Sequence, residues 1–300
     1  MEAPLEPAET HETHPRVRLK PKADARAVRH GAPWGFADDL VMDRRTKALA
    51  PGRLAVLEDA NRAPLALVAV NPKSRIMCRV LSRDVNAAID LAWFAERIGR
   101  ALALRERLYE TPFYRLVHAE ADGLPGVIMD RFGDVVVLQP NAAWAEARLE
   151  DICGAIEQVT GVSTILKNAS GRTRSLEGLD DSAEVLRGVA PSAPVRVEMN
   201  GATYLADLPQ GQKTGLFYDQ RDNHAFGARL AAGARVLDVF AHVGGFGLAA
   251  LAGGAKSVQA VDGSAPALAR ARAGAEARGW GEAVETRQGD AFDVLAALSE

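Results

Sequence analysis

The 300-residue chain carries 36 Lys and Arg against 39 Asp and Glu, a formal net charge of −3, with 48% hydrophobic residues. That is the balance of an ordinary water-soluble globular protein. No apolar run approaches the roughly 20 residues of a bilayer span, and Met1 to Pro15 is acidic and polar without an apolar core, which excludes a secretory signal and reads as a disordered tail. The two cysteines, Cys78 and Cys153, exclude a disulfide framework and fit a reducing compartment, so a cytoplasmic location without a membrane partner is expected.

Arg16 to Arg83 holds 15 Lys and Arg against 6 Asp and Glu, whereas the first fourteen residues hold four Glu and neither Lys nor Arg. A basic module on an acidic body suits a phosphate backbone; a basic but merely solvated face is the competing reading. The short alternating segments Val17 to Leu19, Leu54 to Leu57, Ala66 to Val70 and Ile76 to Leu81, broken by Gly, Pro and Asn, predict a small β-rich barrel over 16–84. Asp84 is placed to cap a long Ala/Leu/Ile helix from Val85 to Leu108. Strands at Tyr114 to Ala119, Gly126 to Asp130 and Val135 to Gln139 follow, then a helix from Ala142 to Val159 and a strand at Thr164 to Asn168. Together they give an α/β middle domain over 85–194. Its polar stretch Asn168 to Asp181 reads as a loop, with Arg172 and Arg174 either solvated or on phosphates.

Asn200-Gly201 between Val195–Met199 and Thr203–Asp207 is a strong hairpin signal. After a helix from Asp222 to Ala232 the pattern becomes strictly βαβαβα, with strands at Arg235 to Phe240, Ser257 to Val261 and Ala283 to Arg287. This alternation predicts a parallel sheet with crossover helices, the first part of a Rossmann-like domain over 195–300. The fold class is therefore α/β, with an N-terminal barrel, a middle domain and this C-terminal sheet.

The chemistry concentrates at the carboxyl ends of these last strands, where open parallel sheets bind ligands. The first ends in Asp238-Val239-Phe240-Ala241-His242-Val243-Gly244-Gly245. The second ends at Asp262, 24 residues later and near the ~20-residue offset at which an acid meets ribose hydroxyls. The third ends at Asp290-Ala291-Phe292, where an acid can accept from an adenine amino group. Three helix-capping acids are the alternative. A G-x-G-x-x-G spacing is missing, which argues against a dinucleotide dehydrogenase.

The chain resembles the bacterial 23S rRNA cytosine-5 methyltransferases that combine an N-terminal PUA domain, a middle α/β domain and a C-terminal Rossmann-like catalytic domain. The resemblance rests on Arg29 to Phe36, on Asn71-Pro72-Lys73-Ser74 with Arg79 to Ser82, on Glu120 to Gly126 with Asp130 to Asp134, and above all on Gly211 to Arg221. It implies S-adenosylmethionine as cofactor, with Lys213, Thr214, Gly215, Phe217, Asp219, Gln220 and Arg221 bordering the donor pocket. Asp238, Phe240, His242, Gly244 and Gly245 would form its first loop, Asp262 would hold the ribose, and Asp290 with Ala291 the adenine. Ala241-His242 departs from the family's frequent Cys-Tyr.

The expected partner is large-subunit ribosomal RNA, with Arg29, His30, Trp34, Lys73 and Arg75 as candidate contacts, and a homodimer is allowed. Packing of a small barrel is the alternative role for Trp34. Methylation of cytosine C5 requires a thiolate to add to C6 and a base to remove the C5 proton. Cys78 and Cys153 alternate with apolar neighbours and read as buried. The chain ends one helix after the third strand, so the catalytic residues and an Asp-Pro-Pro loop are expected beyond Glu300, with donor binding but no turnover from these residues alone. A non-catalytic RNA-binding protein, or a methyltransferase of other base specificity, is the competing function. Metal-ligand spacing is lacking, so no metal site is expected.

Overall fold

The apolar run Leu65 to Val70 is too continuous for a strand with one wet face. A computed structural model, describing residues 14–209 and 215–298, shows both faces buried. The N-terminal module comprises β1 (Arg16–Arg18), α1 (Ala25–Arg29), β2 (Trp34–Phe36), α2 (Arg44–Lys47), β3 (Arg53–Glu58), β4 (Pro64–Val70) and β5 (Ile76–Ser82). Its sheet runs β1-β3-β4-β5-β2. The amide of Lys20 bonds to Asp39 O and that of Val41 to Arg18 O, so the chains leaving the two edge strands meet and close the sheet towards a barrel. Ala55, Leu57, Ala66, Val68, Met77 and Cys78 fill the interior. The alternate residues Leu54, Leu67, Ala69 and Leu81 join the core of the next domain. This period-2 division places the module flat against its neighbour.

The middle domain contains α3 (Leu91–Leu108), β6 (Phe113–His118), β7 (Val127–Phe132), β8 (Val135–Pro140), α4 (Ala143–Glu146), α5 (Leu149–Thr160), β9 (Thr164–Ala169), α6 (Arg172–Glu177) and β10 (Ser182–Arg187). The sheet order is β10-β9-β8-β7-β6. Val136 and Leu138 of β8 face the helix side with Phe94, Ile98, Ile152 and Ile156; Val135 and Val137 face the C-terminal domain with Val197, Tyr204 and Leu248. Three expectations change here. The long helix starts at Leu91, because Asp84 accepts from the Asn86 amide in a turn while Asp90 caps, accepting from the Trp93 amide at 2.9 Å. The helix expected over Ala142 to Val159 is two helices, broken at Ala147–Arg148 where Arg148 leaves helical geometry. The loop expected over Asn168 to Asp181 contains α6. Arg174 is neither solvated nor free for phosphate: it is 2% exposed and donates to Pro140 O (2.6 Å), Glu146 Oε2 (2.9 Å) and Asp180 O.

The C-terminal part opens with the hairpin β11 (Val195–Met199) and β12 (Ala202–Ala206). Asn200 and Gly201, at φ 52° and 74°, make the left-handed turn that the dipeptide favours. Then come α7 (Arg221–Leu230), β13 (Arg235–Val239), α8 (Gly245–Ala252), β14 (Ser257–Asp262), α9 (Ala265–Glu276), β15 (Val284–Gln288) and α10 (Ala291–Leu298). Among the described residues β13, β14 and β15 form a parallel three-stranded sheet in sequence order. Residues 1–13, where the acidic tail is expected, lie outside the described residues. None of the described helices is long and apolar enough to cross a membrane.

Candidate functional site

The loop between β13 and α8 is held in an unusual backbone conformation. Phe240, His242 and Gly244 have φ of 60°, 51° and 83°. Two non-glycine residues in the left-handed region within three positions store strain of order 1–3 kcal/mol each, and such strain persists only where surrounding contacts fix it. The contacts come from the strand-end acids. Asp262 Oδ2 accepts from the His242 amide at 2.8 Å and Oδ1 from the Ser264 amide at 2.8 Å. Asp238 is buried and its Oδ2 accepts from the Gly247 amide at 2.8 Å, tying the strand to the first turn of α8. Burial pushes the Asp238 carboxyl up to about 6, opposed by the Gly247 hydrogen bond and reinforced by the nearby Asp262 charge. Gly247 is obligatory: a Cβ there would lie 2.7 Å from Val258 Cγ1.

The three acids therefore play unequal parts. Asp238 is internal to the loop. Asp262 is half-buried and uses one hydrogen bond on each oxygen; an ionised carboxylate has about four acceptor positions, so it retains capacity for a ribose diol. Asp290 is exposed and its Oδ1 accepts from the Phe292 amide at 2.9 Å, so it does cap α10, as the helix-capping alternative proposed, while Oδ2 takes no hydrogen bond among the described residues. Ala291 is buried beside it, and the rings of Phe240 and Phe292 are 71% and 74% exposed.

Of the segment before α7, Lys213 and Thr214 lie outside the described residues. Gly215 has φ +91° and is packed 3.1 Å (by its missing Cβ) from Asp207 O. Phe217 meets His242 at a ring-centroid distance of 5.1 Å, the contact that brings this segment onto the loop. Asp219, Gln220 and Arg221 were expected on the pocket wall, but their recorded bonds lead elsewhere. Asp219 lies 3.8 Å from Arg115 Nη2. Gln220 Oε1 accepts from Asn223. The Arg221 guanidinium stacks 3.9 Å from the Tyr109 ring and donates to Phe113 O at 2.7 Å. The middle domain thus holds Arg221 at its junction with α7, while Asp219 stays exposed and Gln220 bonds within its own segment.

Gly244 and Gly245 were expected to admit a ligand close to the backbone. On the side where a Cβ would stand, the protein itself fills the space: a Cβ on Gly245 would meet the His224 ring at 2.6 Å, and one on Gly244 would meet Ala271 and Leu248 at 3.1 Å. His224, on α7, escaped the sequence reading. It is buried against Phe246 with centroids 4.5 Å apart, and burial pushes its imidazole down to about 4, so it is neutral at pH 7. Its position three residues after Arg221, on the helix that the Gly211 to Arg221 motif leads into, was the available clue.

The N-terminal candidates are scattered. Arg29 is paired with Asp59 at 2.8 Å. His30 is exposed, with Nδ1 2.8 Å from Arg26 O. Lys73 and Arg75 are exposed. Trp34 does not pack the barrel: it is 36% exposed, and Nε1 donates to Glu120 at 2.8 Å.

A parallel sheet with a strained strand-end loop and a half-buried acid on the adjacent strand defines a nucleotide-binding α/β domain, here joined to a basic β-module. Comparison with known proteins makes the class specific. Residues 17–83 match the PUA-like domain family and residues 115–284 the S-adenosylmethionine-dependent methyltransferase family. The chain belongs to the S-adenosylmethionine-dependent methyltransferases. It is 35% identical to ribosomal RNA large subunit methyltransferase I of Shewanella denitrificans over 284 residues, 93% of this chain and 71% of that protein. The Aliivibrio fischeri protein of the same name is 37% identical over 85% of this chain and 65% of its own length. A Streptococcus mutans protein assigned as a SAM-dependent methyltransferase superposes with a TM-score of 0.81 at 20% identity, over 95% of this chain and 73% of that one, which speaks to the fold.

The donor set fits the cofactor of this family. A carboxylate on the second strand suits a diol and one on the third an amino group. The ring of His242 and the exposed Phe240 and Phe292 offer faces to a purine, and the neighbouring carboxylates Asp238 and Asp262 favour a cation such as a sulfonium.

Proposed function

We propose that the protein transfers a methyl group from S-adenosylmethionine to large-subunit ribosomal RNA, and that the base is a cytosine, modified at C5. The observation that supports this reading most is the strained Phe240–Gly244 loop tied to Asp262, with Phe217 of the preceding segment brought onto His242. In this assignment Asp262 receives the ribose hydroxyls, Asp290 and Ala291 border the adenine, and the loop from Asp238 to Gly245 carries the methionine part. The curated relatives named for action on ribosomal RNA support the substrate class, and the PUA-like module supports an RNA partner. The cofactor supplies an electrophilic methyl on a sulfonium. The chain's own residues bind and orient it, and the target base must be single-stranded or turned out of its stack to reach it.

Methylation at C5 needs a thiolate that adds to C6, and neither described cysteine supplies one. Cys78 and Cys153 are buried, and burial pushes their thiols up to about 12 and about 11. They are assigned structural roles, and no residue of this chain is assigned as the nucleophile. The test is transfer of tritium from methyl-labelled S-adenosylmethionine to deproteinised 23S rRNA by the whole gene product, followed by digestion to nucleosides. Label in 5-methylcytidine is expected. Label in another base would remove the C5 assignment, and unlabelled RNA would remove the methyltransferase reading of the substrate.

A further inference from the structure

A groove of about 540 Å³ lies between the N-terminal module and α3, floored by Val80 to Arg83 and walled by residues of α3 and of the Glu120 to Pro125 segment. Its volume is in the range of sites that hold a small organic ligand. Arg97, Arg100 and Leu104 occupy one face of α3 at helical spacing, so the helix presents two guanidiniums and an apolar side chain to the same opening. Arg83 projects from the end of β5 opposite them.

The charge in this groove is unbalanced. Arg97 is largely buried: its guanidinium lies 3.5 Å from the Trp93 ring centroid, Nη1 and Nη2 donate to Trp93 O (3.4 Å) and Leu81 O (3.3 Å), and Glu96 is 3.7 Å away, so it lends positive charge to the groove from beneath its surface. Arg100 draws on the same Glu96 at 3.3 Å. Among the described residues Arg83 has no carboxylate partner. The two acids at the groove are engaged by donors other than these arginines. Glu120 accepts from Trp34 Nε1 and from Arg79 Nη1. Asp122 takes both Nη atoms of Arg105, at 2.9 and 2.6 Å, and the His118 amide. Arg97 and Arg100 thus share one exposed carboxylate, and Arg83 meets none among the described residues, beside the apolar Leu104 and Pro33 and with the exposed Trp34 ring held at the rim by Glu120.

We infer that this groove is a second RNA-binding site, distinct from the methyl-donor pocket, in which Arg83 and Arg100 take the phosphates of a single-stranded segment and the buried Arg97 adds positive charge behind them. Arginine forks match phosphate oxygens in two-point contact, and apolar and aromatic surface beside them tolerates any base face, as single-strand sites do. The inference rests on the RNA reading above but uses none of the residues singled out from the sequence for RNA contact, apart from Trp34 at the rim.

The test is fluorescence anisotropy of the whole chain with a labelled decauridylate at several salt concentrations. The charge-reversed pair R83E/R100E is compared with R229E/R272E, which changes the same charge on exposed arginines of α7 and α9. The first pair should weaken binding about tenfold or more and reduce the salt slope by about 1.4, from two lost phosphate contacts at ~0.7 each. The second pair should change affinity by less than about threefold. Calorimetry with S-adenosylhomocysteine should give the same affinity for both pairs as for the wild type, which also shows that they fold. Equal loss in both pairs, or wild-type affinity in R83E/R100E, overturns the groove and leaves RNA as partner. A wild-type chain that binds no RNA at low salt overturns the RNA reading, and the groove with it.

Discussion

Replacing Glu177 by alanine should cost about 3–5 kcal/mol of stability, the cost of removing one partner from a buried charge cluster. Glu177 is 3% exposed on α6. Its Oε1 accepts from Arg79 Nη2 at 2.8 Å and from Ser74 Oγ at 3.0 Å, and its Oε2 from Asn71 Nδ2 at 2.9 Å. All three donors belong to the N-terminal module. Alanine would leave the Arg79 guanidinium, itself 9% exposed, with Glu120 alone, would strip Ser74 Oγ of its acceptor, and would leave Asn71 Nδ2 with only the backbone carbonyl of residue 177. Urea denaturation at neutral pH measures the loss. A loss below about 1 kcal/mol would mean that the cluster relaxes into solvent, contrary to the burial described. Because the cluster joins α6 to the loop and strand after β4, it also fixes how the basic module sits on the middle domain. The arginine groove depends on that placement.

The second large effect depends on pH. The Asp238 carboxyl, raised to about 6 from an ordinary value of 3.8, binds its proton more tightly in the folded than in the unfolded chain. Its contribution is therefore fully present below about 3.8 and is lost as pH rises through about 6. At 1.36 kcal/mol per pKa unit the loss is about 3 kcal/mol. Asp238→Asn keeps an acceptor for the Gly247 amide and cannot ionise. The stability of D238N relative to wild type should rise by about 2 kcal/mol between pH 4 and pH 7.5, since part of the change lies below pH 4. Denaturation curves across that range check this, and a constant difference would mean that Asp238 is not desolvated. In the proposed complex a sulfonium near this carboxylate favours the ionised form, so the site trades some stability of the empty loop for attraction to the donor.

The parts legible in the sequence are those set by local rules. Strict alternation of strand and helix patterns located β13 to α10 within a few residues, since each apolar strand and each crossover helix carries its own period. Asn200-Gly201 marked its hairpin because few other dipeptides occupy two successive left-handed positions. What escaped is held by charge and by distant partners. Helix α6 buries Arg174 and Glu177, so it has no apolar period to read. Strand β10 is an exposed edge that pairs with β9 through its backbone. The start of α3 was misplaced because two aspartates, Asp84 and Asp90, both carry the capping signal, and the intervening Ile89 is drawn into the core.

The same division runs through the candidate site. The positions of Asp238, Asp262 and Asp290 at successive strand ends were readable. Their different duties were not, because they depend on whether each carboxylate meets an amide of its own loop. Nor could the sequence show that Arg221 would be captured by Tyr109 and Phe113, about a hundred positions away in the chain, or that His224 would fill the space beneath Gly245.

In the proposed function the loop from Phe240 to Gly244 and the acid on the adjacent strand hold S-adenosylmethionine. Isothermal titration calorimetry with S-adenosylhomocysteine tests it directly. The wild-type chain should bind one equivalent, and D262A should bind it about tenfold or more weakly, for the loss of charged hydrogen bonds to the ribose. Equal affinity in the two proteins, or no heat of binding from the wild type, would contradict the claim.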